Sequence, residues 1–146
     1  MTDWHKRFLN LAKHISTWSK DPSRKIGAVI VGDDRQILSI GYNGFPRGIE
    51  DDDRLLDRET KYPLIVHAEM NAIYNATYNG IKLKNSTLYV TGLPVCSDCA
   101  KGVIQVGIKT LIMPKDLDLS EKSIWKDSWD RSREMFNAAG IEWKFK

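Results

Sequence analysis

A chain of 146 residues, 42% of them apolar, is the size of one ordinary domain that encloses its own core without disulfides, so residues 1–146 are read as a single domain. The net charge of +3 arises from Lys and Arg scattered along the chain, which argues against a nucleic-acid partner and for a small anionic ligand. No signal-peptide pattern opens the chain and no apolar run approaches the ~20 residues of a membrane span, so a soluble, cytoplasmic protein with no membrane partner is expected.

Trp4, Phe8, Leu11, Ile15 and Trp18 recur at steps of four, three, four and three, which predicts a first helix with all five on its core face and Thr2 or Asp3 as cap. Asp21-Pro22 ends that helix between Ser19 and Ser23, because a residue before proline is pushed out of the helical region. Residues 26–31 read as a buried strand and 36–42 as its hairpin partner, with Gly32-Asp33-Asp34-Arg35 as the turn. From Gly44 to about Lys61 charge is dense and periodicity weak, which predicts a long loop with at most one short helical turn, a type usually functional or mobile. Helices over 67–78, 96–106 and 124–139 then alternate with strands over 87–91, 110–113 and 141–145, with Asn79-Gly80 and Gly140 placed as C-terminal caps. The fold class is therefore α/β: three layers, α/β/α, around a five-stranded mixed sheet whose first two strands are antiparallel. In such folds, active sites collect at helix N-termini beside strand ends.

Two of those helix starts carry chemistry. His67-Ala68-Glu69 opens one and Cys96-Ser97-Asp98-Cys99 opens the other. Neighbouring helix N-termini can aim His67, Cys96 and Cys99 at one centre; three N/S ligands leave the fourth tetrahedral position open, which is a catalytic zinc arrangement rather than a closed structural one. The chain has two cysteines in all and both are used, so one Zn2+ per chain is predicted. The positive helix ends favour the thiolates, and zinc brings the pKa of a bound water towards ~7. Glu69, two positions past the histidine, reaches that water without ligating the metal and is the candidate catalytic proton carrier. The combination resembles the HxE and PCxxC pattern of zinc deaminases, here with Val95 between the proline and Cys96; in those enzymes hydroxide attacks C4 of a pyrimidine and the glutamate moves protons to N3 and the departing amine. A single histidine is usually structural, and CxxC alone also marks redox motifs and structural zinc knuckles; the two halves together select the catalytic reading. His5 and His14 have no ligand-type neighbours and are read as surface or packing residues.

With SKDPSRKIGAVIV, IGYNGFPRG, KYPLIVHAEMNAIYNA and LYVTGLPVCSDCAKGVIQVGIK added, the chain over 4–143 resembles the deoxycytidylate (dCMP) deaminases of the cytidine deaminase superfamily, found in phages, bacteria and eukaryotes. The zinc signature is common to the superfamily, whereas GYNGFPRG and HAEMNAI resemble the dCMP branch. The resemblance implies a cytidine-deaminase-like fold and hydrolysis of dCMP to dUMP and ammonia, supplying dUMP for dTMP synthesis. It implies His67, Cys96 and Cys99 as zinc ligands, Glu69 as proton shuttle, Asn43 at the deoxyribose and base, and the Ala68 backbone beside His67 at the pyrimidine oxygen. Arg24 and Lys25 are candidates for the 5′-phosphate, by charge-assisted hydrogen bonds. It also implies a homohexamer activated by dCTP and inhibited by dTTP at an allosteric site formed by Asn43, Gly44, Arg47 and Gly48, where a glycine-bordered loop lets a triphosphate approach backbone N–H groups. The acidic run over 50–53 would hold Mg2+ on that triphosphate, a solvated charged loop being the plainer reading.

The chain departs from the family pattern in two places. Pro94-Val95-Cys96 displaces by one the proline that usually precedes the first cysteine, which leaves the path of that loop open. The segment 116–129 matches least, and its Trp125 and Trp129 are read as core or subunit contacts, with base stacking as the alternative. A deaminase of another base or of a nucleic acid, and a non-catalytic zinc-stabilised module that senses nucleotides, are the rival readings.

Overall fold

Asp3 starts the first helix: its carboxylate accepts the Lys6 N–H at 3.1 Å, and α1 runs Trp4–Ser16. The computed structural model describes residues 1–120 and 122–146. Phe8, Leu9, Ala12, Ile15 and Ser16 are the buried residues of α1. The five-residue stripe expected from the sequence is thus turned about the helix axis, with Trp4 and Leu11 half-buried and Trp18 beyond the helix end, 49% exposed and edge-on to Tyr42. The reason is a close approach to the first strand. A Cβ on Gly27 would lie 1.8 Å from the Ala12 carbonyl oxygen, so the smallest helix residue, not the largest, sits on the contact line.

β1 (Gly27–Val31) is buried along its whole length and pairs antiparallel with β2 (Ile37–Tyr42), with a bulge between Ile30 and Val31. The Gly32 N–H closes the turn on the Gln36 carbonyl at 2.8 Å, and Arg35 takes the left-handed conformation at φ 64°.

The segment expected to be one long loop contains more structure than its periodicity reveals. A 3-10 turn spans Asp53–Leu56, and a true helix, α2, spans Arg58–Leu64. Asp52 accepts the Arg54 N–H at 3.1 Å; Asp57 accepts the Glu59 N–H at 3.3 Å and the Thr60 hydroxyl at 2.6 Å. Each piece buries a single residue, Leu55 and Lys61, too few to leave an apolar period. Pro63, in the last turn, forfeits the N–H that would bond to the Glu59 carbonyl, and the helix ends one residue later.

α3 (Ala68–Tyr78), β3 (Thr87–Thr91), α4 (Ser97–Gln105), β4 (Thr110–Met113), α5 (Lys126–Ala139) and β5 (Glu142–Phe145) complete the chain. The sheet order is β2-β1-β3-β4-β5, with β1 antiparallel to both neighbours and β3, β4 and β5 parallel. Helix α1 packs on one face, against Val29, Val31, Tyr89 and Ile112. Residues of α3, α4 and α5 cluster with Ala28, Ile30, Leu88, Val90, Leu111 and Met113 on the other. This is the five-stranded mixed sheet with helices on both faces that the sequence predicts. Among the described residues no helix is long and apolar enough to cross a membrane.

Candidate active site

Helices α3 and α4 bring their N-termini together, and the residue that caps each is a metal-type ligand. His67 is the N-cap of α3; Cys96 is the N-cap of α4, its Sγ accepting the Cys99 N–H at 3.4 Å. Nδ1 of His67 lies 3.3 Å from the Sγ of Cys96 and 3.3 Å from that of Cys99. All three ligand atoms fall within 4.8 Å of one another. A tetrahedral zinc with ordinary bond lengths separates N and S ligands by about 3.6 Å. The observed spacing fits within a few tenths of an ångström, and the donor set of two sulfurs and one imidazole nitrogen is one that zinc favours.

The surrounding residues hold this geometry. Gly41 of β2 lies so close under α3 that a Cβ there would stand 2.4 Å from the Ala68 carbonyl oxygen. On the α4 side, Ser132 of α5 donates its hydroxyl to the Val95 carbonyl at 2.8 Å, and the Ser97 N–H donates to the Ser128 hydroxyl at 2.9 Å. Val95 is fully buried in the core while Pro94 faces the cavity, so the displaced proline keeps a place on the site wall.

The protein groups perturb one another strongly. The hydrogen bond with Cys96, reinforced by the Glu69 charge, raises His67 to about 9. Cys96 is brought down to about 4, first by its hydrogen bond with Cys99 and then by His67; Cys99 is pushed upward, by Cys96 and by burial. Glu69, only 3% exposed, is pushed up to about 7 by burial, against the pull of the His67 charge. A carboxyl that titrates near neutrality beside a ligand cluster is suited to take up and release a proton at working pH.

A cavity of about 380 Å³ opens over His67, Glu69 and Cys96, within the size range of small-molecule sites. Ile26, Ile65, Leu93, Pro94 and Trp125 give it apolar walls, and Ser23, Arg24 and Arg58 lie along its polar side. Asn43 lines it too, with its side chain bound into the fold: Oδ1 accepts the Ile26 N–H at 2.9 Å and Nδ2 donates to the Arg24 carbonyl at 2.8 Å. Asp21 accepts from Asn43 Nδ2 at 3.4 Å and pairs with the buried Lys61 ammonium at 3.2 Å, joining α2 to the 19–25 segment.

The other sequence-derived candidates fall elsewhere. Lys25 lies outside this cavity: its ammonium donates to the Ser19 carbonyl and the residue lines a second cavity on the α1 face. Of the four allosteric candidates, Asn43 alone lines the active cavity. Gly44 pairs with Val66 through two backbone hydrogen bonds, the Arg47 guanidinium donates to Asn75 and lies 4.4 Å over the Tyr78 ring, and Gly48 has φ +82°. The acidic run does not gather into a magnesium site. Asp51 accepts the Phe45 N–H at 2.9 Å and Asp52 pairs with Arg54 at 2.8 Å, so both carboxylates fold the loop. His5 Nδ1 lies 2.9 Å from the Tyr89 hydroxyl, a packing role. Trp129 is core, whereas Trp125 is a cavity wall. Sequence reasoning missed Asp21, Ser23, Leu55, Arg58, Lys61 and Tyr62 as lining residues. For Leu55, Arg58, Lys61 and Tyr62 the one signal was the density of charge in a segment with no period.

Fold and site together define a class: an α/β protein with a His-Cys-Cys metal cradle, a buried carboxyl beside it and a cavity of nucleotide-base size above. Residues 2–115 match the family model described as the cytidine and deoxycytidylate deaminase zinc-binding region. The chain belongs to that family of deaminases, which are hydrolases. It is 39% identical over 142 residues to an uncharacterized deaminase in the luxG 3′ region of Aliivibrio fischeri, covering 97% of this chain and 92% of that one. It is 38% identical over 150 residues to the deoxycytidylate deaminase of Homo sapiens, covering 97% and 79%. Its fold is similar to that of the dCMP deaminase from cyanophage S-TIM5 in complex with dCMP and dUMP, with a TM-score of 0.79 and 25% identity over 100% and 99% of the two chains.

Proposed function

We propose that the protein hydrolyses dCMP to dUMP and ammonia, with one zinc per chain. The observation that carries the proposal is Glu69, buried against the His67, Cys96 and Cys99 cluster at the end of a cavity with Arg24 and Arg58 on its polar side. His67, Cys96 and Cys99 hold the metal, which when bound polarises a water for attack at C4. The walls formed by Ile26, Leu93, Pro94 and Trp125 hold the pyrimidine and exclude bulk water. The Ala68 backbone N–H, at the positive end of α3, faces the pyrimidine oxygen. Glu69 takes a proton from the attacking water and passes protons to N3 and to the amine, so that oxygen joins C4 as the C4–N bond breaks and ammonia leaves. Asn43 is the candidate contact for the deoxyribose. Arg24 is the candidate for the 5′-phosphate, and Arg58 replaces Lys25 as its partner because it lines the same cavity.

The regulatory reading places dCTP and dTTP at the loop of Asn43, Gly44, Arg47 and Gly48 in a homohexamer. Its support is the tie from Arg47 to Asn75 and Tyr78 of α3, the helix that also presents Glu69. Steady-state rates with dCMP, cytidine and single-stranded DNA, each with and without dCTP and dTTP, test both parts. Turnover of single-stranded DNA alone would overturn the substrate, and rates indifferent to both triphosphates would overturn the regulation.

A further inference from the structure

Asn43 lines the active cavity with a side-chain amide that is almost wholly committed to the chain itself. Its Nδ2 carries two hydrogens, one donated to the Arg24 carbonyl at 2.8 Å and one to Oδ2 of Asp21 at 3.4 Å. Its Oδ1 has two lone pairs, and one of them accepts the Ile26 N–H at 2.9 Å. These partners fix the orientation: a reversed amide would set N–H against N–H at Ile26 and oxygen against oxygen at Arg24 and Asp21. Among the described residues the second lone pair of Oδ1 is therefore all that Asn43 keeps for a ligand. It can accept a hydrogen bond and has none left to give.

Asp21 makes that commitment complete. Its side chain is 4% exposed, its Oδ1 accepts the Ser23 N–H at 2.9 Å, and the Lys61 ammonium lies 3.2 Å from each carboxylate oxygen. A carboxylate only accepts, so it draws the second amide hydrogen of Asn43 to itself, and Lys61 of α2 supplies the counter-charge that a buried carboxylate needs. All three residues line the same wall. Apart from its phosphate, dCMP offers two donor groups. The N4 amine goes to the His67, Cys96 and Cys99 cluster, which leaves the 3′-hydroxyl for Asn43.

We propose that Asp21 and Lys61 are positioning residues that make Asn43 an acceptor-only contact for the 3′-hydroxyl, so that the enzyme takes nucleotides with a free 3′-hydroxyl and refuses those substituted at that oxygen. What the wall reads is the donated hydrogen. A 3′ oxygen esterified as in a DNA strand has lone pairs alone and meets the lone pair of Oδ1, so an internal cytosine is refused by electrostatics as well as by size. The inference rests on the dCMP reading of the cavity.

Titration calorimetry of the zinc-loaded protein with dUMP, 2′,3′-dideoxy-UMP and 3′-fluoro-2′,3′-dideoxy-UMP tests it without chemistry intervening. At the 3′ carbon the first donates, the second carries no polar group, and the third carries a fluorine about the size of a hydroxyl that cannot donate. Kd is expected to rise about tenfold for the dideoxy compound, because a buried acceptor goes unpaired, and further for the fluoro compound. Asp21→Asn frees an amide hydrogen on this wall, so dUMP binds more weakly and the fluoro compound no longer binds more weakly than the dideoxy one. Lys61→Met, which removes the counter-charge from Asp21, narrows the same gap and decides the role of the pair if Asp21→Asn does not fold. Affinities that fall by one common factor in these variants overturn the positioning role, since a merely structural pair would act on all three nucleotides alike. Equal binding of dUMP and the fluoro compound by the parent means that the wall presents a donor there, such as the Lys61 ammonium, and overturns the acceptor-only contact. Absence of binding by all three at millimolar concentration overturns it as well. A parent that ranks the nucleotides as expected but does not turn over dCMP sustains the contact and overturns the activity instead.

Discussion

Glu69 acquires its chemistry from its neighbours: the first turn of α3 buries it, burial lifts its carboxyl to about 7, and the His67 cluster lies beside it. Glu69→Gln keeps the shape and removes the proton traffic. General acid–base catalysis is worth roughly 10²–10⁴-fold, so kcat for dCMP is expected to fall by about that factor while bound zinc per chain stays constant. Turnover and metal analysis on one preparation decide it, and near-normal activity would remove Glu69 from the mechanism. Cys99→Ser acts differently. Cys99 is 1% exposed within the core cluster, so losing this ligand is expected to cost zinc, activity and thermal stability together, and a chelator applied to the parent should reproduce all three losses. A Cys99→Ser protein that kept its zinc and its melting temperature would contradict this. The proposed ligands and shuttle were brought out by the sequence as candidates because they sit within one turn of two helix starts. Arg58 and Lys61 were not, because they reach the cavity only through packing between segments far apart in the chain.

Among the elements, α2 shows where sequence reading fails. Seven residues with a single buried side chain carry no apolar period, and a helix that short does not stand alone in water. Its anchor is the Lys61 and Asp21 ion pair, whose side chains are 8% and 4% exposed. Removing one partner from a buried pair leaves the other uncompensated, at a cost of about 3 kcal/mol or more. Lys61→Met and Asp21→Asn are each expected to lose stability on that scale in urea unfolding, and the double variant to lose less than the two combined. Because α2 carries Arg58 and Tyr62 into the cavity, KM for dCMP should rise in each single variant. Strictly additive losses with an unchanged KM would show that the pair does not hold the wall. Gly41 tests the opposite wall. Gly41→Ala forces β2 and α3 apart at Ala68, next to His67 and Glu69, so turnover is expected to fall further than the loss of stability accounts for. Turnover that fell only in step with stability would mean that α3 keeps its N-terminal turn in place. By contrast, β1, β3, β4 and the later helices were legible, because short apolar strands alternate with longer mixed segments under clear punctuation at Asn79-Gly80 and Gly140.

At the scale of the whole molecule, part of the strand order follows from general rules. A tight hairpin makes β1 and β2 antiparallel neighbours, and helical crossovers make β3, β4 and β5 parallel ones. That β1 lies against β3, joining the two halves, has no local signature in either strand. The order leaves β2 at an edge of the sheet, with α3 packed on it, and this end carries several exposed aromatic residues: Tyr42, Tyr74 at 51% and Tyr78 at 74%, with Trp18 against Tyr42. Exposed aromatic clusters rimmed by polar residues are the kind of surface that self-association covers. If the chain assembles as a hexamer, sedimentation equilibrium should give about 100 kDa from chains of 16.7 kDa. Tyr74→Glu with Tyr78→Glu places charge on that surface without touching the core, so the assembly should fall to a smaller species while each chain keeps its melting behaviour. Arg47 rests on Tyr78, so any response to dCTP or dTTP should weaken in the same variant. A parent that sediments as a monomer at micromolar concentration would refute the assembly, and a doubly substituted protein that still sediments near 100 kDa would move the interface away from this end of the sheet.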